Sequence, residues 1–317
     1  MAAHPPLRIS VLGRGAWGGT LAALWQRQGH RLRGWSRRDG GDPAALLDDA
    51  DLVVVAVSMA GVGPLAAALA PGWPAGLPLL SCSKGIDLDC LTTASRIWLQ
   101  HGLRAPLLVL SGPNLAAELA RDLPAASVLA SSAAAVAADL QARLSGNTLR
   151  LYTNDDPVGT EVAGALKNVI ALAAGLCDGL QLGANARAAL LTRGLAEMGV
   201  VLEGLGGSPA SLYGLAGLGD LLATATSPLS RNYRCGLLLA EGLGLAAAAE
   251  RIGATVEGPR TARAALALAG PRGWTLPICE QVVAVLDGRS TPREAARALM
   301  DRQLRAEALP SQPSASA

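Results

Sequence analysis

Residues 8–12, Arg-Ile-Ser-Val-Leu, run straight into Gly13-Arg14-Gly15-Ala16-Trp17-Gly18, and residues 16–28 then carry helical periodicity until Gly29 stops it. A short buried strand, a G-x-G-x-x-G turn and a helix in that order form a dinucleotide-binding fingerprint. Gly13 makes the tight turn, Gly15 lets the backbone approach a pyrophosphate, and Gly18 lets the helix pack on the strand. The free amides of the helix N-terminus supply the anion site. A plain glycine turn is the other reading, and the flanking strand and helix weigh against it.

The second strand, 31–35, ends in Ser36-Arg37-Arg38. An acid at this strand end receives the ribose hydroxyls of NAD, whereas arginine accommodates a 2′-phosphate. Arg37 and Arg38 therefore favour NADP(H), with NAD(H) possible; Asp39 and Asp42 come later than that acid, and a solvated basic turn is the competing reading. Little chain separates this turn from the buried strand at 51–57, so something usual for a Rossmann half is shortened here. Further strands fit 77–82, 106–110, 127–130 and 148–152, with helices near 61–70, 90–101, 114–121 and 133–144. This alternation predicts a doubly wound parallel sheet. Two strand ends carry polar loops, Ser83-Lys84-Gly85 and Ser111-Gly112-Pro113-Asn114, at the sheet edge where such folds bind ligands.

From Thr153-Asn154-Asp155-Asp156-Pro157 onward strand signals cease. Helices fit 158–178, 184–205 and 209–216, with shorter ones to about 304. The fold class is thus α/β, with an N-terminal Rossmann-type doubly wound sheet over 1–154 and an all-helical substrate domain over 155–305. Residues 306–317 have the composition of a disordered tail.

Of the 27 Lys and Arg residues only Lys84 and Lys167 are lysines. A chain that writes its solvated charges as arginine keeps lysine where arginine cannot serve. Arginine stays protonated, but a buried lysine can lose its proton near neutral pH. Lys167 lies in Glu161-Val162-Ala163-Gly164-Ala165-Leu166-Lys167-Asn168-Val169-Ile170-Ala171-Leu172 and has no carboxylate three or four residues away. It reads as a catalytic acid/base or substrate ligand, against a surface helix lysine. Between Glu203 and Arg231 the one charged residue is Asp220, which needs a partner: it is a helix N-cap or the counter-charge of Lys167. Ser230-Arg231-Asn232 at a helix mouth suits a phosphate, and is also an ordinary helix start. Together with a nicotinamide cofactor, such a lysine points to hydride transfer between carbonyl and alcohol.

A net charge of +2 and a pI near 8.4 give no basic surface for nucleic acid. The N-terminus lacks a signal peptide's basic start, and no run reaches the ~18 apolar residues of a membrane span, which places the protein in the cytoplasm without an integral membrane segment. The five cysteines have no metal-type spacing and read as buried small hydrophobes, with Cys82 beside a candidate site; no metal is expected.

The chain resembles the bacterial NAD(P)-dependent glycerol-3-phosphate dehydrogenases from the glycine-rich loop to about residue 300. The matching blocks are Gly13–Gly18, Ser83-Lys84-Gly85, Ser111-Gly112-Pro113 with Glu118, Ala165-Leu166-Lys167-Asn168-Val169, Gly183-Ala184-Asn185-Ala186-Arg187, Thr192-Arg193-Gly194-Leu195-Ala196-Glu197, Leu218-Gly219-Asp220-Leu221, Ser230-Arg231-Asn232 and Val256-Glu257-Gly258. The resemblance implies that Lys167 is the proton acceptor, that Lys84 contacts cofactor and substrate, and that Gly112, Asn114, Asp220, Ser230, Arg231 and Asn232 meet the substrate. It implies cofactor contacts at Trp17, Arg37, Ala116, Arg231 and Glu257. It further implies interconversion of dihydroxyacetone phosphate and sn-glycerol 3-phosphate for phospholipid synthesis, by a homodimer. Three departures stand out: the short segment between Arg38 and Asp51, Asn114 where Thr or Ser is usual, and Ala16 in place of a common Ser. The competing readings are another two-domain dehydrogenase, for a hydroxy acid or sugar acid, and an NADP(H)-sensing protein without turnover.

Overall fold

The structure is a computed structural model and describes residues 4–303; the tail expected at 306–317 lies outside them. Its first half lays seven strands in one sheet: β1 (Arg8–Leu12), β2 (Arg31–Trp35), β3 (Leu52–Val55), β4 (Leu79–Ser81), β5 (Leu107–Ser111), β6 (Ala125–Ala130) and β7 (Leu149–Asn154). The connecting helices are α1 (Ala16–Arg27), α2 (Met59–Leu69), α3 (Ala94–Gln100), α4 (Ala116–Leu119) and α5 (Ala134–Leu144). The strand order is β2-β1-β3-β4-β5-β6-β7. Relative to the 3-2-1-4-5-6 order of a full Rossmann sheet, one outer strand is missing beside β2. The short segment after Arg38 holds only a 3-10 turn at Pro43–Leu46, so β2 is the sheet edge.

The sheet is not wholly parallel as the alternation predicts. Strands β1 to β5 are parallel, but β6 pairs with β5 antiparallel, and β7 runs parallel to β6. The reason lies in α4. The sequence suggests a helix over 114–121, yet only four residues are helical, about 6 Å of axis, too short to return the chain along a strand of about 17 Å. The chain turns back and pairs directly. The eleven residues of α5 do span a crossover, and β7 follows in parallel.

The second half is helical: α6 (Pro157–Gly179), α7 (Gly183–Gly204), α8 (Asp220–Ala225), α9 (Arg231–Ala240), α10 (Leu245–Ile252), α11 (Gly258–Ala269), α12 (Pro277–Leu286) and α13 (Pro292–Met300). The helix expected at 209–216 is instead a 3-10 turn, Pro209–Tyr213, followed by a π turn, Leu215–Gly219, that delivers Asp220.

Helix α6 is the centre of this half. Asp156 caps it, accepting from Gly159 N–H at 2.8 Å, and Pro157 occupies the first turn, where its missing N–H costs nothing. Every residue from Gly159 to Cys177 is buried, as for a helix apolar on all sides. By length and composition alone α6 would cross a membrane, contrary to the expectation from sequence, but 89% of its most apolar window is buried in protein. It crosses α9 at backbone contact: a Cβ on Gly175 would stand 2.0 Å from the Tyr233 carbonyl oxygen, and one on Gly236 2.1 Å from that of Leu172.

Candidate active site

Three elements from both halves converge on one carboxylate. Asp220 opens α8 and is 2% exposed. Its Oδ1 accepts from Lys167 Nζ at 2.8 Å, and its Oδ2 accepts from Lys84 Nζ at 2.7 Å. It does not cap its own helix, so of the two readings of Asp220 the structure shows the counter-charge, and shows it shared. Burial opposes its ionisation, but the two ammonium groups outweigh that and hold its carboxyl below the usual carboxylate range. Lys167 is 6% exposed in the wall of α6. Burial lowers its pKa to about 8; Asp220 pulls it up, while Lys84 and Arg231 push it down.

The donors can be counted. An ammonium has three N–H groups. Lys167 spends one on Asp220 and one on Thr224 Oγ1, 2.6 Å away, which leaves one for an external acceptor. Lys84 directs its three at Asp220, at Asn114 Oδ1 (3.2 Å) and at the Gly112 carbonyl (3.4 Å). Asn114 is itself oriented, donating from Nδ2 to Ser127 Oγ on β6 at 3.0 Å. Thr224 and Ser127 escape notice in the sequence. For Thr224 the one available signal is its position four residues after Asp220, on the same helical face.

Beside Lys167 on α6, Asn168 Oδ1 accepts from Asn232 Nδ2 (2.8 Å), and Asn232 Oδ1 accepts from Gly258 N–H (2.9 Å). Asn232 thus turns inward and joins α6, α9 and α11. Ser230 caps α9, accepting from Tyr233 N–H at 3.2 Å, and keeps its own O–H free to donate. Arg231, the first residue of α9, is exposed. Burial raises the pKa of the nearby Glu257 carboxyl, with Arg231 and Arg260 opposing.

The glycine-rich loop forms a cradle. Gly13 has φ +107, and a Cβ there would lie 2.5 Å from the Ala56 carbonyl oxygen; one on Gly18 would lie 2.0 Å from the Gly13 carbonyl oxygen. Those two positions are closed by protein. At Gly15 nothing lies within 4 Å of the added Cβ, so the space left open is on the ligand side, at the N-terminus of α1. Trp17 packs on the sheet core beneath the loop, with its buried Nε1–H on the side of Cys82. These residues fit a dinucleotide. Ala116 begins α4 across from α1, and Arg37 and Arg38 are exposed in the turn after β2. Cys82 is buried near Trp17, and burial pushes its thiol up to about 12. The cysteines are all free; four are buried, but Cys90 is exposed, contrary to the reading of all five as buried. No cluster suited to a metal occurs among the described residues.

Residues 40–137 match the family described as NAD-dependent glycerol-3-phosphate dehydrogenase N-terminus, and residues 156–297 match its C-terminus. The chain belongs to this family. A glycerol-3-phosphate dehydrogenase [NAD(P)+] from a Synechococcus strain is 54% identical over 95% of this chain and 99% of its own length. The enzyme of the same name from Trichormus variabilis is 46% identical over 94% and 98%. Among solved structures, the glycerol-3-phosphate dehydrogenase of Coxiella burnetii superposes with a TM-score of 0.89 at 34% identity, covering 94% of this chain and 99% of that one. Membership in the glycerol-3-phosphate dehydrogenase family thus spans both halves, and both contribute to the Asp220 cluster.

Proposed function

We propose that this chain reduces dihydroxyacetone phosphate to sn-glycerol 3-phosphate reversibly with NAD(P)(H), with Lys167 as the acid/base. The observation that carries the role of Lys167 is its one unspent N–H, on an amine that burial has brought to a pKa of about 8. A general acid works best with a pKa near the working pH. The nicotinamide supplies the hydride; Lys167 gives its free proton to the substrate oxygen in reduction and takes it back in oxidation. Asp220 and Thr224 hold the amine through the other two donors, so that the third is aimed.

Lys84 has no donor to spare, and its 3.4 Å contact with the Gly112 carbonyl is the weakest of the three. We assign it to positioning: a substrate oxygen displaces that carbonyl. The N-terminus of α9 with Arg231 and the Ser230 hydroxyl receives the phosphate, and Asn232 supports it from behind through Gly258. Gly13, Gly15, Trp17, Gly18, Ala116 and Glu257 line the cofactor path, and Arg37 and Arg38 favour NADPH over NADH. The resemblance extends the reading to a cytoplasmic homodimer that feeds phospholipid synthesis, with the domain division at 154/155.

Purified protein should oxidise NADPH only after dihydroxyacetone phosphate is added. If neither NADPH nor NADH turned over with this substrate, the proposal would fall, and binding without turnover would favour the sensing alternative.

A further inference from the structure

The second residue of the glycine-rich loop is an arginine, and the fold directs it to the place where the adenosine ribose is read. Gly13 N–H donates to the Trp35 carbonyl at 2.8 Å, which ties the loop to the end of β2. The stem of Arg14 then lies over Gly34, where an added Cβ would meet Arg14 Cδ at 3.0 Å. Its guanidinium reaches Asp39 Oδ2 at 3.5 Å, and the same oxygen accepts from Ser36 Oγ–H at 2.8 Å. One carboxylate oxygen is therefore gripped by a cation and a hydroxyl just beyond the carboxyl end of β2. Asp39 follows the strand too late in sequence to be the usual ribose acid, yet the turn at 36–39 folds its carboxylate back to that place.

We propose that Arg14 and Ser36 form a seat for the 2′-phosphate of NADP(H), and that Asp39 is its built-in stand-in. When the phosphate binds, it takes the two donors and Asp39 swings out; when NAD(H) binds, Asp39 stays and accepts from the ribose 2′-hydroxyl. The swap is feasible because the pair is exposed, with Arg14 at 60% and Asp39 at 53%, and such pairs hold weakly. A phosphate offers more charge and acceptor oxygens than a carboxylate, and a planar guanidinium can meet two of them at once. A single turn would thereby serve both cofactors, with the carboxylate setting the penalty on the phosphate. This inference rests on the reading of the chain as NAD(P)(H)-dependent.

The test is calorimetric titration of the full chain with NADPH and with NADH, without substrate, at fixed salt. Arg14→Ala should weaken NADPH roughly tenfold, as for a lost charge-assisted bond, and leave NADH within about twofold. Asp39→Asn should tighten NADPH severalfold and weaken NADH. If Arg14→Ala left the NADPH-to-NADH ratio intact while Arg37→Ala collapsed it, Arg37 would hold the phosphate without Arg14, and the inference would fail with NADP(H) use still standing. A wild-type protein that bound neither nucleotide would overturn the cofactor reading itself.

Discussion

Burial inside α6 brings the Lys167 amine to a pKa of about 8. In solution the group titrates at 10.5, so the fold disfavours its ammonium form, and that penalty is full below about pH 8 and relieved between 8 and 10.5. With Lys167 as the proposed acid/base, reduction draws on the ammonium and should fall as pH rises through about 8, and oxidation draws on the free amine and should rise over the same range. Opposed limbs in the two pH profiles check this, and parallel limbs would remove Lys167 from proton transfer. Lys167→Arg should keep the far-UV circular dichroism spectrum but lose about 10²–10⁴ of turnover, since a guanidinium does not give up its proton. Near-normal turnover would refute the role. At this scale the sequence was informative where a residue type was rare. Two lysines among 27 cations stood out, as did one carboxylate in a long apolar run. Thr224 did not, because a hydroxyl in a helix satisfies itself on the preceding turn as easily as it takes a ligand. Nor does spacing show that Asn232 turns inward, since the amide can pair on either side.

Among the elements, α6 depends on close approach more than on propensity. Gly175 and Gly236 face each other across the contact with α9, and either Cβ would meet a backbone oxygen that has no rotamer to yield. Gly236→Ala should therefore destabilise the protein by about 1–3 kcal/mol through overpacking. Its denaturation midpoint should drop even though alanine is the better helix former; an unchanged or higher midpoint would show that the helices can part. Helices and strands with clear periods were legible to within a few residues. The reversal of β6 was not, because it follows from the shortness of α4, and helix ends are decided by contacts that the local pattern omits. The π turn before Asp220 was hidden similarly: its residues, Leu215 to Gly219, read as one more apolar helical turn.

Across the whole molecule, the two halves are joined by polar ties as well as by packing. Glu161 on α6 accepts from Ser95 N–H at 2.9 Å and from its hydroxyl, capping α3. Arg96 on α3 donates to the Leu205 carbonyl at 2.6 Å. The Lys84–Asp220 pair spans 136 positions of sequence, a distance at which no spacing rule operates, so the sharing of Asp220 was beyond the reach of sequence reasoning even though each partner was marked. This tie also transmits charge. Lys84 lowers the pKa of Lys167, so Lys84→Met should raise it and move both pH limbs upward, besides raising KM. Limbs fixed at the wild-type position would show that the second ammonium has no electrostatic reach.

The loss of the outer strand has a consequence for how the protein behaves in a crowded solution. With β2 as the edge, one row of backbone donors and acceptors faces outward, the kind of border along which sheets of separate molecules join. Its residues are Arg31-Leu32-Arg33-Gly34-Trp35. Two arginines repel an identical strand, the glycine weakens pairing, and Arg33 reaches the Leu46 and Asp48 carbonyls, drawing the short segment against the border. A shortened nucleotide-binding half thus carries its own defence against edge-to-edge sheet pairing, written in the arginines of its border strand.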